Sequence, residues 1–382
     1  MKPVSPFNVC QVRGRGARDL LLQMVPTKTL YETCQTKSCK KICQDNEFWH
    51  KKLLKDYPQY AGNAEDAKTL YHRIIYQSGD LYEFSVISPE GSLEPWATNM
   101  TRVFPYNDFI LSIDVVGNLY ISTTYDIKQA ESDFKKNTKF TSNANLYRYA
   151  KSLGLQDSYT AIHLPLDIQV SEVHINNLEE FILDTNQNLY RFKFQKGKPI
   201  LILIAKNVVS VQAYFDTFVY INDKHELFGY RGKDKMKKLA SNIKKVQIYL
   251  NQDNRWKTRI YALDNKGNFV WIQRSGIKTI KTDKWTDFWV STYKYFLYKN
   301  GKVYVYKKDD LQSAEIYKIK VEKFIDATLA DSAAFILSGD EIYAYTNEGL
   351  KAVLPNVVDA IATGFTMHRG EFPVFVYIRG KV

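Results

Sequence analysis

Beyond Cys43 this chain of 382 residues has no cysteine; its four, Cys10, Cys34, Cys39 and Cys43, all lie near the N-terminus. A large body without cysteine suits a reducing compartment, the cytoplasm or nucleus, better than secretion. Long hydrophobic runs are also absent. The longest, Pro199 to Ala205, is strand-sized, well short of the roughly 20 residues that span a bilayer. Met1 to Gly16 is polar and broken by Pro3 and Pro6, so no signal peptide is expected. The Asn99-Met100-Thr101 sequon is therefore read as idle.

The residues of catalysis are sparse or badly spaced. None of the six histidines, His50, His72, His163, His174, His225 and His368, stands at ligand spacing from another, and no His-Glu-x-x-His occurs. No glycine-rich phosphate loop is present. Arg13-Gly14-Arg15-Gly16 reads as a basic lead-in, with an arginine contact to nucleic acid as the sharper alternative. Cys34, Cys39, Cys43 and His50 are the donor types of a zinc site. Their spacing is not that of a Cys-x2-Cys knuckle, and Cys34 and Cys43 fall on apolar faces, where free cysteine acts as a small hydrophobe. Asp114, Asp184, Asp264 and Glu371 draw attention as carboxylates, but the first three sit in hairpin turns, where aspartate belongs for backbone reasons. Nothing nominates an acid–base pair. The expectation is a protein with no catalytic residue, metal or cofactor.

What the chain does have is aromatic and basic. Apolar residues make up 45% and aromatics 14%, with 27 Tyr and 21 Phe, which points to a globular, strand-rich body. The formal charge is +12, which favours acidic partners. The lysines are spread out except for one run, Lys233, Lys235, Lys237 and Lys238, followed by Lys244 and Lys245. With Tyr230 and Tyr249 nearby, this run is a candidate contact for an acidic partner or nucleic acid; the plainer reading is a solvated loop. Trp256, Trp271, Trp285 and Trp289 are expected to pack in the core.

Two regions separate by periodicity. Residues 17–77 read as short helices, after a flexible lead-in over 1–16. Asp19 to Val25 carries Leu20, Leu21, Leu22 and Met24, and Pro26 ends it. Thr27 or Thr29 can cap a second helix bearing Leu30 and Cys34. Asp45 can cap a third with Phe48, Trp49, Leu53 and Leu54 on its apolar side, stopped at Tyr57-Pro58. Asn63 can cap a fourth with Ala67, Leu70, Tyr71, Ile74 and Ile75 at helical spacing.

At Ser78-Gly79 the pattern turns to alternation and begins to repeat. Phe109-Ile110-Leu111 leads through a turn to Leu119-Tyr120. The same unit recurs as Phe181-Ile182-Leu183 to Leu189-Tyr190, Phe218-Val219-Tyr220 to Leu227-Phe228, and Ile260-Tyr261-Ala262 to Phe269-Val270. It recurs again as Phe296-Leu297-Tyr298 to Val303-Tyr304 and Phe335-Ile336-Leu337 to Ile342-Tyr343. These are hairpins. Their spacing is near 40 except for one gap of 70 between Tyr120 and Tyr190, and 40 is the period of a propeller blade. The long gap holds an insertion, about 125–145, or a degenerate blade. Phe375-Val376-Tyr377 lacks a following strand, and Gly79 to Tyr82 lacks a preceding one. Paired, they make a seventh blade and close the ring without open edges. The expected fold over 78–382 is therefore mainly β, a seven-bladed propeller.

The order Val25-Pro26, Leu30, Cys34, Ile42-Cys43, Asp45, Phe48-Trp49 and Leu53-Leu54 resembles an F-box. The repeats resemble the regulator of chromosome condensation family, whose blades carry a Gly-x-apolar-Tyr element. The combination resembles proteins of large DNA viruses. The F-box resemblance implies docking on the S-phase kinase-associated adaptor of a cullin–RING ubiquitin ligase through Leu21, Met24, Val25, Pro26, Leu30 and Ile42, with Phe48 and Trp49 partly core, and with a target protein held by the propeller. The expected role is substrate recognition inside a cell, in cytoplasm or nucleus, and of a host cell if the chain is viral. The rivals are guanine-nucleotide exchange or chromatin binding, and a structural virion scaffold.

Overall fold

The computed structural model describes residues 25, 30, 33–34, 36, 39–60, 62, 65–85, 97–106, 109–123, 145–155, 161–176, 179–231, 234–251, 257–291, 293–325, 334–346, 349–363 and 374–380. The chain divides into two units, 1–80 with 380–382, and 81–379.

The first unit is helical, with α1 (Lys40–Cys43), α2 (Asn46–Asp56), a 3-10 turn at Pro58–Tyr60 and α3 (Ala67–Tyr76). Asp45 caps α2 as expected, its carboxylate accepting from the Glu47 N–H at 3.0 Å. The cap of α3 is Asp66 rather than Asn63. Its carboxylate accepts from both the N–H and the hydroxyl of Thr69, at 2.8 and 2.9 Å, so the helix starts at Ala67. Leu70, Tyr71, Ile74 and Ile75 form the buried stripe of α3. Lys52 is buried on α2, where it pairs with Asp56 at 2.9 Å and donates to the Val25 carbonyl at 3.2 Å. A buried ammonium persists only when so satisfied.

Two readings of the cysteines need correction. Cys34 and Cys43 are joined in a disulfide, and Cys39 is also disulfide-bonded. They are therefore neither free hydrophobes nor thiolates available to zinc. The missing cysteines further along say nothing about the redox setting of this unit. The expected helix over 19–25 and its successor's caps, Thr27 and Thr29, lie outside the described residues apart from Val25.

The second unit is built from antiparallel sheets. Sheet A holds β1 (Gly79–Ser85), β2 (Ala97–Tyr106), β3 (Phe109–Asp114), β4 (Leu119–Thr123) and β5 (Ile162–Leu164), with α4 (Asn145–Ser152) between β4 and β5. Sheet B is β6 (Val170–Ile175), β7 (Glu180–Asp184), β8 (Leu189–Gln195) and β9 (Lys198–Ala205). Sheet C is β10 (Val208–Tyr214), β11 (Thr217–Asn222), β12 (Leu227–Arg231) and β13 (Lys237–Ala240). Sheet D is β14 (Ile243–Asn251), β15 (Lys257–Asp264), β16 (Phe269–Gln273) and β17 (Gly276–Lys281). Sheet E is β18 (Asp287–Val290), β19 (Lys294–Lys299), β20 (Lys302–Lys307) and β21 (Ala314–Lys318). Sheet F is β22 (Lys323–Ile325), β23 (Ala334–Ser338), β24 (Glu341–Thr346) and β25 (Gly349–Pro355). The last two strands, β26 (Val357–Thr363) and β27 (Val374–Gly380), rejoin sheet A. Its order is β26-β27-β1-β2-β3-β4-β5, so β1 neighbours β27.

The second strand of each four-strand set is covered on both faces. Phe109-Ile110-Leu111 and Phe181-Ile182-Leu183 are buried throughout, which is why they read as continuous apolar runs. The turn that follows is a repeated clasp. The Asp114 carboxylate accepts from the N–H groups of Val116 and Asn118 at 3.0 and 2.9 Å and from the Asn118 amide at 2.9 Å. Asp184 with Asn188 and Asp264 with Asn268 repeat it. In sheet C the polarity is reversed. Asn222 still accepts from the Glu226 N–H, but its amide donates to the Glu226 carboxylate at 3.0 Å. Sheet E uses the shorter Asn300-Gly301 turn, with both residues at positive φ, as a tight hairpin requires.

These turns also join one sheet to the next. The fourth clasp residue has positive φ in each case: Gly117, Gln187, His225 and Gly267. Its carbonyl accepts from the residue that opens or precedes the next sheet's first strand: Val170, Val208, Ile243 and Trp285, at 2.7 to 2.9 Å. Gly267 is needed here, because a Cβ would lie 2.6 Å from the Lys284 Cα. The first strands consequently lie side by side: β26 against β2, β2 against β6, β6 against β10, β10 against β14, β14 against β18, and β22 against β26.

The gap of 70 is an insertion ahead of the fourth strand of its set. Its described part holds α4, and β5 follows as the fourth strand. α4 has no counterpart among the expected helices, although Leu146, Tyr149 and Ala150 at i, i+3 and i+4 are its buried face. Residues 124–144, most of the expected insertion, lie outside the described residues.

Candidate functional site

The described members of the expected ligase-docking set are core residues. Val25, Leu30, Ile42, Phe48 and Trp49 are all buried, Trp49 at 1% exposure. Phe48 meets Trp49 edge-on, Trp49 packs against Tyr71, and the Trp49 indole N–H donates to the Cys43 carbonyl at 2.7 Å. The burial of Phe48 and Trp49 agrees with their expected place partly in the core. Leu21, Met24 and Pro26 lie outside the described residues. The exposed large apolar side chain described in this unit is Leu54, at 42%. The sequence placed it on the buried side of α2, one residue beyond the buried Leu53.

The lysine run is a strand edge rather than a loop. Lys237 and Lys238 lie in β13, and Lys235 just before it; all three are exposed. Lys238 is bonded to Glu226 at 2.6 Å. Lys244 and Lys245 belong to the next sheet, where Lys245 pairs with Asp287. The charges adjacent in sequence are thus divided between two sheets and partly neutralised. Lys233 lies outside the described residues, as do Trp256 and Glu371. Trp285 and Trp289 are buried in the packing, as expected.

The first strands carry polar contacts that tie neighbouring sheets together and that the sequence did not signal. Glu172 on β6 accepts from Arg102 on β2 at 2.8 Å and meets His174 at 2.9 Å. Burial alone would raise the Glu172 carboxyl, but His174 and then Arg102 outweigh it and hold it below its ordinary value. Asp359 on β26 is bonded to Lys323 on β22 at 2.5 Å and accepts from the Val103 N–H of β2 at 3.2 Å. One carboxylate therefore joins three strands of different sequence neighbourhoods.

In sheets D to F cations meet aromatic rings, among them buried Tyr295 and Tyr345. The Lys308 ammonium sits 4.1 Å from the Tyr249 ring centroid and 5.4 Å from that of Tyr295. Arg259 lies over Trp271 at 4.9 Å. Lys294 contacts the Tyr345 hydroxyl at 2.7 Å, and Tyr345 and Tyr317 both donate to Glu315. Burial raises the hydroxyl pKa of Tyr295, with Tyr261 adding to the effect. Burial raises the Tyr345 hydroxyl as well, with Glu315 adding to the effect.

The buried carboxylates are occupied by the backbone. Glu180 opens β7, accepts from the Leu146 N–H at 2.9 Å and from the Asn145 N–H, and so fastens the N-terminus of α4. Burial pushes its carboxyl up to about 7, against the pull of those two amides and of Arg148. Asp114 is likewise raised by burial. Each is spent on holding a turn or helix end. Among the described residues no group of three or more His, Cys, Asp or Glu side chains is arranged to hold a metal ion.

No protein-family profile and no curated protein sequence matches the chain. Solved structures match its shape. Prp20p from Saccharomyces cerevisiae, described with its binding to Gsp1p and histones, aligns over 81% of this chain and 94% of its own, with TM-score 0.54 and 10% identity. Yeast RCC1 (Prp20) bound to Kap60 aligns over 80% and 90%, with TM-score 0.52 and 11% identity. Human WBSCR16 aligns over 79% and 99%, with TM-score 0.50 and 11% identity. At such identity the likeness concerns the fold: the strand unit is a β-propeller like that of yeast RCC1.

Proposed function

We propose that this chain is a non-enzymatic interaction adaptor. Its strand unit is a ring of seven blades that holds a protein partner, and its helical unit attaches that partner to the S-phase kinase-associated adaptor of a cullin–RING ubiquitin ligase inside a cell. The observation that carries the binding role is the likeness to Prp20p, a propeller described by what it binds. Seven blades are supported by five four-stranded sheets together with two first strands, β2 and β26, in sheet A. Closure is supported by β1 lying beside β27 and by β26 lying against β2. Among the described residues no helix is long and apolar enough to cross a membrane.

The ligase attachment is supported by the residue order of the helical unit. Its docking surface has to be exposed, so it is placed at Leu54 with the neighbouring outer face of α2 rather than at buried Val25 or Trp49. Co-precipitation with the ligase adaptor is expected from the full chain and is lost in Leu54→Asp. That substitution lies at an exposed position and should leave thermal unfolding unchanged. Recovery unaffected by Leu54→Asp, or no recovery from the unaltered chain, refutes the attachment. Exchange activity on a small GTPase is the rival reading. A nucleotide-release assay that accelerates with added protein would establish it instead.

A further inference from the structure

The outer strands of the propeller sheets differ in how they are protected. An exposed strand edge invites pairing, and charge or proline at the edge prevents it. β13 carries Lys237 and Lys238, β17 carries Lys278 and Lys281, β21 carries Glu315 and Lys318, and β25 carries Lys351 and Pro355. β5 is only 3 residues long. β9 has its lysine and proline only at its first two residues, Lys198 and Pro199. From Ile200 to Ala205 it reads Ile-Leu-Ile-Leu-Ile-Ala without a charge, and sheet B ends at this strand. Ile200, Ile202 and Leu203 are exposed at 38%, 41% and 47%. Leu201, between them, packs on the core cluster that includes Phe192 and Tyr149. The strand is thus held through Leu201 and Ile204 and leaves Ile200, Ile202 and Leu203 exposed.

Its charge setting restricts what covers it. From Asp184 to Asp216 the intervening sequence contains no Asp or Glu, while Arg191, Lys193, Lys196, Lys198 and Lys206 all fall within it. Arg191 is neutralised by Glu179 at 3.0 Å; the four lysines have no carboxylate in their own hairpin. A second copy of the chain is a poor occupant. Two-fold antiparallel pairing about Ile202 sets Lys198 against Lys206 at both ends, and like charges directly opposite are destabilising.

We propose that the edge of β9 is a docking site for an extended segment of a partner protein, apolar along its middle and acidic at both ends, which adds to sheet B as a further strand. This deepens the adaptor reading, and rests on it for the partner being a protein. Backbone hydrogen bonds supply affinity in such strand addition, and alternate side chains supply selectivity. The apolar middle covers Ile200, Ile202 and Leu203, and the acidic ends meet Lys198 and Lys206.

The test uses the full chain and a fluorescein-labelled peptide, Asp-Val-Thr-Val-Thr-Val-Asp, followed by fluorescence anisotropy. Saturable binding is expected, weakened about tenfold when the terminal aspartates become lysines. N-methylation of alternate peptide residues abolishes it, because the backbone donors are removed. Ile202→Lys also abolishes it. As a second variant, Lys198→Glu with Lys206→Glu reverses the preference toward the lysine-ended peptide. Absence of binding, indifference to N-methylation, or an unchanged preference in the double variant overturns the proposal. So does a dimer in sedimentation that Ile202→Lys dissolves, which would make a second copy the occupant. Ligase-adaptor co-precipitation is read separately through Leu54 and is unaffected by any of these results.

Discussion

Replacing Glu180 by glutamine isolates a buried carboxylate whose proton is linked to folding. The group is 3% exposed and holds the first two amides of α4. In the folded chain burial raises it from 4.5 to about 7. Between those values the native state keeps a proton that the unfolded chain releases. The stabilisation from this group is therefore complete below about pH 4.5 and is lost as pH rises through about 7. At about 1.4 kcal/mol per pH unit, the loss amounts to about 3 kcal/mol. Glutamine cannot ionise, and its one oxygen accepts from only one of the two amides, because they bond to different carboxylate oxygens. Urea unfolding of both proteins, followed by tryptophan fluorescence, gives the difference in stability at pH 5 and pH 8. The difference in stability is expected to shift in favour of Glu180→Gln by about 2 to 3 kcal/mol between pH 5 and pH 8. A difference that does not change with pH refutes the linkage. A growing disadvantage of the variant at pH 8 shows that the amide bonds outweigh burial.

Other outcomes follow from the turns and close approaches. Asp264→Ala removes the acceptor of two backbone amides and the Asn268 side chain and should cost about 2 kcal/mol, read as a lower urea midpoint at constant slope. Gly229→Ala puts a Cβ into the Phe218 carbonyl across the β11–β12 ladder, with the Val219 Cα at 3.0 Å. Because the obstacle is backbone, a loss of about 3 kcal/mol or more is expected, visible as a drop in thermal midpoint. Asp359→Ala strands the Val103 N–H and the Lys323 ammonium and should cost about 2 kcal/mol, with faster hydrogen exchange at Val103.

The repeat was readable because each turn announces itself locally. Asp114 and Asn118 are four residues apart and their bonding is decided within the turn, so the same letters recur in sheets B and D. Asn222 with Glu226 kept the geometry with donor and acceptor exchanged, and it still read as a turn. The apolar triplets were equally plain, since burial on both faces leaves no alternation to misread. α4 was missed because its buried face is three residues in a polar stretch. Its anchor Glu180 lies 35 residues away from Asn145, beyond any local pattern. Asp359 and Val103 are 256 residues apart, and no spacing rule brings them together. In the helical unit the stripes of α2 and α3 were legible, but amphipathic pattern cannot say whether a stripe meets a partner or its own neighbours.

The ring is tested most directly by the distance between sheets A and F in solution. Spin labels on unnatural side chains at Val116, in the first clasp turn, and Asp340, in the turn of sheet F, report it by pulsed dipolar spectroscopy. Sheets pack about 10 Å apart face to face. A closed ring puts only β26 and its partners between the two sites, for a separation of about 20 Å. A distribution centred there is the predicted result. A distribution centred near about 50 Å, the span of an open row of the same sheets, contradicts it.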